Sequence, residues 1–258
     1  MTTGITTNSI ALNKNSAKPV IEIKNLYKSF SSNAVLIDFN FSLYPGENVV
    51  VLGKSGSGKS VLIKCIIGLM KPDKGSINVL DNEVPQLTSS QLDKLRVKVG
   101  FLFQSNALYD SMTVRENLEF PLRRHWFKTS QSEENTLIIE ALSNVGLTNT
   151  VDMMPAELSG GMRKRIALAR TLILKPEIIL YDEPTTGLDP ITGKEISNLM
   201  NDIKKKYKTS SIIISHDINC VKIVADRIVM LIDGKCYAEG TLDELKNSID
   251  SKVKQFFE

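Results

Sequence analysis

The chain has 258 residues, of which 42% are hydrophobic and 24% charged, so it can bury a sizeable core in one large or two small domains. No apolar run approaches the ~18 to 20 residues that a membrane-spanning helix needs, and the net charge of +3 is too small to indicate a nucleic-acid partner. The three cysteines have no metal-ligand spacing and cannot all pair, which favours a reducing cytosol.

The first 18 residues are polar and rich in Thr, Asn and Ser, without the basic and apolar stretches of an export signal. We therefore predict a disordered extension over residues 1–18 and a folded domain over 19–258. Residues 20–23 and 37–43 open that domain, and 37–43 alternates apolar with polar side chains, as half-exposed antiparallel strands do. The sequence thus predicts an N-terminal antiparallel β layer.

A glycine-rich segment follows the apolar run 49–52 and precedes 61–67, which is typical of the first turns of a helix. Between a strand and a helix, such a segment can point its N–H groups into one concavity, beside the positive end of the helix dipole. A polyphosphate fits there, with a lysine reaching its β- and γ-phosphates and a hydroxyl supplying an oxygen to Mg²⁺. The alternative is a turn that ends in Lys-Ser by chance. The segment consists of Gly53, Lys54, Ser55, Gly56, Ser57, Gly58, the lysine Lys59 and the hydroxyl-bearing Ser60.

Four later runs, at 99–103, 178–181, 212–214 and 228–231, are almost continuously apolar. This pattern is typical of parallel strands that are covered by helices on both faces, so we predict an α/β fold with a mainly parallel core sheet. Between Gln104 and about residue 169 the strand pattern disappears, and helical stretches such as 133–145 replace it. We therefore predict an inserted helical subdomain at about 105–169.

Two segments of the chain allow two interpretations each. Leu108, Tyr109 and Met112 lie beside turn residues after Gln104, which fits either a partner surface or packing on the helical subdomain. Just beyond them, Thr113 and Glu116 have the spacing of a capping box at a helix start. Residues 204–208 form the most basic stretch, which could touch anionic lipid or nucleic acid, but its place at the end of a helical pattern favours a solvated helix face.

The apolar run 178–181 ends in two acids, Asp182 and Glu183. Because side chains alternate in direction along a strand, these two carboxylates cannot share one role. In a chain that has a phosphate loop, Asp182 is placed to hold Mg²⁺, directly or through its water, and Glu183 to accept a proton from the attacking water.

Ser159, Gly160 and Gly161 begin another helical pattern. Ser159 fits a simple N-cap. The two glycines favour more than a cap, because they weaken the first turn of a helix unless a ligand must approach the backbone closely. An anion is the ligand that suits a helix N-terminus.

Together these motifs resemble the ATP-binding cassette (ABC) ATPases from about residue 20 to about residue 245. The resemblance implies a P-loop ABC ATPase fold and a homodimer, formed in the ATP-bound state, in which two copies enclose two ATP molecules with Mg²⁺. It rests on the phosphate loop, Gln104 after a strand, Leu-Ser-Gly-Gly at 158–161, the acid pair, Gly-Leu-Asp at 187–189 and His216.

The resemblance also implies roles for individual residues. Met162 departs from the family pattern, which has glutamine there, and Phe30 lacks the hydroxyl of the tyrosine that is frequent at its position. The alternatives are that His216 has a structural role, that Gln104 is an ordinary turn residue and that Phe30 lies in the core. By motif, Ser159, Gly160 and Gly161 would bind the γ-phosphate held by the other copy, Gln104 would contact Mg²⁺ or the attacking water, His216 would hydrogen-bond the γ-phosphate, Asp189 would lie at the dimer seam, and Phe30 would stack on adenine.

Local sequences narrow the resemblance further. The stretches 102–114, 120–123, 161–165 and 185–192 are similar to the ATPases that power MCE-type lipid transporters, including the Mla system. That similarity implies phospholipid transport between membranes with an integral-membrane permease and an MCE-domain protein, at the cytoplasmic face of a bacterial inner membrane. The alternatives are the ATPase of an amino-acid or ion importer and a soluble cassette ATPase that acts outside transport.

Overall fold

The structure, a computed structural model, describes residues 17–124 and 130–257. Most of the extension expected over 1–18 and residues 125–129 of the expected helical subdomain lie outside these ranges. The described strands are β1 (Ile21–Phe30), β2 (Asn33–Leu43), β3 (Asn48–Leu52), β4 (Lys74–Val79), β5 (Asn82–Glu83), β6 (Val99–Leu102), β7 (Ile178–Asp182), β8 (Ser210–Ile214), β9 (Arg227–Ile232) and β10 (Lys235–Gly240). The described helices are α1 (Lys59–Ile66), α2 (Ser89–Lys98), α3 (Val114–Arg124), α4 (Gln131–Asn144), α5 (Gly160–Leu172), α6 (Pro190–Tyr207), α7 (Ile218–Val224), α8 (Leu242–Lys246) and α9 (Ser251–Lys254).

The strands form two sheets. One has the order β2-β1-β4-β5 and is antiparallel throughout, which confirms the predicted N-terminal layer. The other has the order β10-β9-β3-β8-β7-β6 and is parallel except where β10 pairs with β9. The predicted mainly parallel core sheet is thus confirmed.

The parallel strands are buried on both faces, because alternate residues join different core clusters. Val50 and Leu52 belong to the cluster that includes the helical subdomain. Val49 and Val51 belong to the cluster beneath the antiparallel sheet. A strand enclosed on both sides favours apolar residues on both faces, which explains its continuous apolar run.

Between β6 and β7 the described residues form helices and turns, as predicted. Thr113 and Glu116 make the expected capping box: the Thr113 amide donates to Glu116 Oε2 at 2.7 Å, and the Glu116 amide donates to Thr113 Oγ1 at 3.2 Å. Residues 204–207 of the basic run lie in the last turn of α6, where Lys204 forms an ion pair with Asp226 and Lys206 donates to Asn144 Oδ1. The helix interpretation of that run is therefore confirmed.

Arg227, at the start of β9, joins the two sheets. Its guanidinium donates two hydrogen bonds to Glu47, at 2.8 and 2.9 Å, one to Glu239 and one to the carbonyl oxygen of Ser42 on β2. The Arg227 side chain is only 7% exposed and that of Glu47 only 14%, so removing the cation would leave a desolvated carboxylate without its partner.

We expect Arg227→Met to lower the free energy of unfolding by about 3 to 5 kcal/mol, the typical loss when one partner of a buried ion pair is removed. Urea denaturation measures this change. Lys98→Met is the control, because its pair with Glu177 is 56% and 54% exposed and should contribute less than about 1 kcal/mol. A loss in Arg227→Met no larger than that in the control would contradict the bridging role.

Candidate active site

Four neighbouring parallel strands deliver the polar residues to one edge of the core sheet. In the order β3, β8, β7 and β6 they lead into the phosphate loop, His216, the acid pair 182–183 and Gln104. Because the strands are in parallel register, their carboxyl ends meet at this edge, where ligands of α/β sheets characteristically bind.

The phosphate loop is closed by its own lysine. Lys59 Nζ donates to the carbonyl oxygens of Gly53 at 2.7 Å and Lys54 at 2.9 Å. Gly58, just before α1, has a φ of 102°, and a Cβ there would lie 2.7 Å from Val35 Cγ1, so only glycine fits. Ser57 Oγ is buried and has no hydrogen-bond partner within the described ranges. The loop therefore offers an anion a cation and an unused hydroxyl.

Burial and charge oppose each other at Lys59. Burial lowers the pKa of Lys59, whereas the carboxylates of Glu183 and Asp182 raise it. A phosphate beside Nζ would favour the charged ammonium in the same way as these carboxylates do.

Ser60 and Asp182 bring two oxygen ligands together. Ser60 Oγ donates to Asp182 Oδ1 at 3.3 Å, across the gap between α1 and the end of β7. Burial raises the pKa of Asp182, and the neighbouring Glu183 charge adds to that rise. A cation next to Asp182 would relieve both effects.

Glu183 and His216 form a close pair. His216 Nδ1 lies 2.8 Å from Glu183 Oε2, and the Thr186 hydroxyl donates to the same oxygen at 3.2 Å. The Glu183 backbone has a φ of 50°, and its amide donates to the carbonyl oxygen of Ile214 at 3.0 Å. The side chain of His216 is 66% exposed, so this residue does not belong to the hydrophobic core.

Gln104 lies exposed after β6, and its backbone is tied to α5. Lys164 Nζ donates to the Gln104 carbonyl oxygen at 3.0 Å. Lys164 is 2% exposed, and burial lowers its pKa to about 8 against the raising effect of Asp182. The position of Gln104 is therefore set by a buried cation.

Ser159, Gly160, Gly161 and Asp189 form a second cluster, made of the starts of α5 and α6. Ser159 Oγ accepts from the Met162 amide at 3.2 Å, which confirms the N-cap. Asp189 caps α6 by accepting at 3.0 Å from two amides. A Cβ on Gly161 would lie 2.7 Å from Thr192 Cγ2, whereas a Cβ on Gly160 would have 3.9 Å to its nearest neighbour. Internal packing thus explains Gly161 but not Gly160.

Phe30 stands at the end of β1 and is 44% exposed, so it is not part of the core. Lys28 Nζ lies 5.5 Å from its ring centroid. An exposed aromatic face of this kind can stack on a planar ligand.

Comparison with known proteins decides the family. The family model described as ABC transporter matches residues 36–186, more than half of the chain. The probable ribonucleotide transport ATP-binding protein mkl of Mycobacterium leprae is 40% identical to this chain, over 92% of the chain and 68% of its own length. The chain belongs to the ABC transporter family.

Other ABC proteins are nearly as similar. The intermembrane phospholipid transport system ATP-binding protein MlaF of Haemophilus influenzae is 36% identical over 92% of this chain and 89% of its own length. The methionine import ATP-binding protein MetN of Campylobacter jejuni is 35% identical over 92% and 75%. The dimeric cassette MJ0796 is 33% identical over 86% of this chain and 98% of its own, with a TM-score of 0.79, and 0.78 for its post-hydrolysis form bound to ADP and Pi.

This ABC ATPase hydrolyses ATP, as its family does, and it has the P-loop ABC ATPase fold that the motifs implied. Within residues 17–124 and 130–257, its helices are too short or too polar to cross a bilayer.

Several residues that hold the site of this ABC ATPase together belong to no sequence motif of the site. Thr186 orients Glu183, and Lys164 holds Gln104. Arg170 donates to the Asn106 carbonyl oxygen at 3.1 Å and to Asn117 Oδ1 at 3.3 Å. A signal for Lys164 was present, because it lies three and four residues before Ala167 and Leu168 and so shares their buried helix face.

Proposed function

We propose that this ABC ATPase binds Mg²⁺-ATP at the carboxyl edge of the core sheet and hydrolyses it with Glu183 as the catalytic base. The observation that carries the proposal is the 2.8 Å contact between Glu183 and His216, beside the phosphate loop and the Ser60–Asp182 pair. Hydrolysis needs a base within reach of the attacking water and a donor near the γ-phosphate, and these two residues supply them.

The phosphates would take the place of the carbonyl oxygens that now accept from Lys59. Residues 53–60 would surround them with N–H groups, and Lys59 would turn toward the β- and γ-phosphates. Ser60 and Asp182 supply the hard oxygen ligands that Mg²⁺ prefers, and the Gln104 side chain would add an amide oxygen. Mg²⁺ bound there neutralises charge on the transferred phosphoryl group. Phe30 would stack on the adenine.

Two copies would complete each site. Ser159 and Gly160 lie exposed at the α5 N-terminus, and the open space at Gly160 fits a ligand that approaches the backbone. Facing the γ-phosphate held by a second copy, these N–H groups, together with those of Gly161, would stabilise its charge and exclude water, with Asp189 at the seam. The solved cassette MJ0796, which has the same fold and is dimeric, supports a dimer of this chain.

The work of hydrolysis would drive phospholipid transport between membranes. The support is the likeness to MlaF along 92% of the chain, together with an aromatic surface after Gln104. On that surface Tyr109 is 42% exposed, and its ring centroid lies 4.8 Å from that of Phe120. We propose that this surface docks an integral-membrane permease, which carries an MCE-domain protein, at the cytoplasmic face of an inner membrane.

Amino-acid import is the second candidate, because MetN is 35% identical over the same share of the chain. The ATPase mechanism would be unchanged, and only the permease and the transported substrate would differ. The docking surface must therefore be tested together with the cargo.

Glu183→Gln should lower the ATPase rate by ~100-fold or more, because it removes the base and keeps the shape of the site. With ATP bound but not hydrolysed, light scattering after gel filtration should give twice the monomer mass of 28.7 kDa. Glu195→Gln, which changes a carboxylate on α6 that pairs with Arg165, is the control and should turn over normally. A Glu183→Gln variant that still hydrolyses ATP, or that stays monomeric with it, would refute the proposal.

Gly160→Ala should leave the melting temperature unchanged or raised, since Ala favours a helix and has room at this position. Its ATPase rate should nevertheless fall about 100-fold, because the added methyl would stand where the phosphate must approach. Gly161→Ala is the contrast: it should lose about 1 to 3 kcal/mol of stability through its clash with Thr192. Normal activity in a stable Gly160→Ala protein would rule out the phosphate contact.

Tyr109→Ala should release the protein from native membranes while its ATP affinity stays normal, because Tyr109 lies on the proposed docking surface. Tyr237→Ala, with an equally exposed ring at 41% on β10, should remain bound. Mass spectrometry of the complex purified from native membranes should identify a permease, an MCE-domain protein and phospholipid. A permease with bound amino acid and no lipid would favour import, and equal membrane recovery of both variants would reject the surface.

A further inference from the structure

Two cations on α5 hold the backbone of the loop that follows β6. Lys164 Nζ donates to the carbonyl oxygen of Gln104 at 3.0 Å, and Arg170 Nη2 donates to that of Asn106 at 3.1 Å. Both side chains come from one helix and reach carbonyl groups two residues apart. The loop is therefore fastened to α5 at two points.

The loop has a backbone that needs such support. Asn106 and Ala107 have φ values of 64° and 51°, a left-handed conformation that asparagine tolerates but that is unfavourable for alanine. Asn106 Oδ1 is buried without a hydrogen-bond partner in the described part of the chain. Strained backbone of this kind persists only where its surroundings hold it, and it clusters at functional sites.

Lys164 holds the Gln104 carbonyl group at a cost in desolvation free energy. It is 2% exposed, and a buried ammonium loses its hydration. Within residues 17–124 and 130–257, the hydrogen bond of the Lys164 ammonium is the one to the Gln104 carbonyl oxygen. A neutral donor could hold the carbonyl group at a lower desolvation cost, so the buried cation indicates a role beyond packing.

We propose that Lys164 and Arg170 are positioning residues for ATP hydrolysis: they lock the loop 104–106 onto α5, so that the Gln104 side chain meets the nucleotide in one orientation. This inference rests on the proposed role of Gln104. The exposed N-terminus of α5 and Gln104 then move together as one rigid unit. Lys164 gives the sharper test, because Arg170 also contacts Asn117 and the ring of Tyr109 and so supports the docking surface.

The test is a double-mutant cycle on the full chain with Lys164→Met and Gln104→Ala. Lys164→Met alone should lower kcat about tenfold or more, as the loss of a residue that orients a metal contact does, while the KM for ATP changes little because the phosphate loop is intact. In the Gln104→Ala background, the same substitution should change kcat by less than about twofold. Lys164→Gln keeps a donor without the charge and should recover part of the rate.

Arg165→Met is the matched control, because Arg165 is also a cation of α5 that donates to a backbone carbonyl, that of Val145 at 3.2 Å. Hydrogen exchange of the amides of residues 104–107 should become faster in Lys164→Met and not in Arg165→Met. Unchanged kcat, or an equal loss in both Gln104 backgrounds, would overturn the proposal. If Lys164→Met does not fold, Lys164→Gln is carried through the same cycle.

The role proposed for Gln104 and the loop contact proposed for Lys164 can be refuted separately. If Gln104→Ala leaves kcat unchanged, the role proposed for Gln104 is wrong. Hydrogen exchange then still decides whether Lys164 locks the loop: faster exchange confined to residues 104–107 supports the lock, and unchanged exchange overturns it.

Discussion

The parallel pairing of β3, β8, β7 and β6 is the constraint on which the site depends. Tyr181 on β7 pairs with Ile213 on β8 and with Leu102 on β6, and Val51 on β3 pairs with Ile214. A shift of one residue in any pair would exchange the buried faces of a strand that is enclosed on both sides. The register that the core enforces therefore also fixes the distances between the phosphate loop, the acid pair, His216 and Gln104.

Electrostatics makes this edge of the sheet complementary to a metal-bound phosphate. Lys59 satisfies its donors on two carbonyl oxygens, which a phosphate can replace at little loss. Asp182 is buried beside Glu183, and both effects raise its pKa, so it gains from a nearby cation. An anion would therefore stabilise the Lys59 ammonium and a cation the Asp182 carboxylate, so the proposed site would favour binding the two together.

The sequence predicted the strands that are covered on both faces and the loop whose backbone needs glycine. Continuous apolar runs predicted β7 and β9, and glycine spacing predicted the phosphate loop. Strand β10, which reads Lys-Cys-Tyr-Ala-Glu-Gly, was missed because a strand at the sheet edge needs no continuous apolar face. Helix α2 was missed because Leu95 is its one buried residue, which leaves only a weak amphipathic pattern.

Within the site, sequence motifs predicted which residues would gather but not what orients them. Nothing local to Gln104 shows that Lys164, 60 residues away, holds its carbonyl oxygen, since such a contact exists only once α5 packs against β6. The same packing puts the exposed start of α5 and the buried Lys164 about one helical turn apart on a rigid element. A force on the helix tip therefore reaches Gln104 through a single hydrogen bond, whereas a flexible loop between them would absorb it.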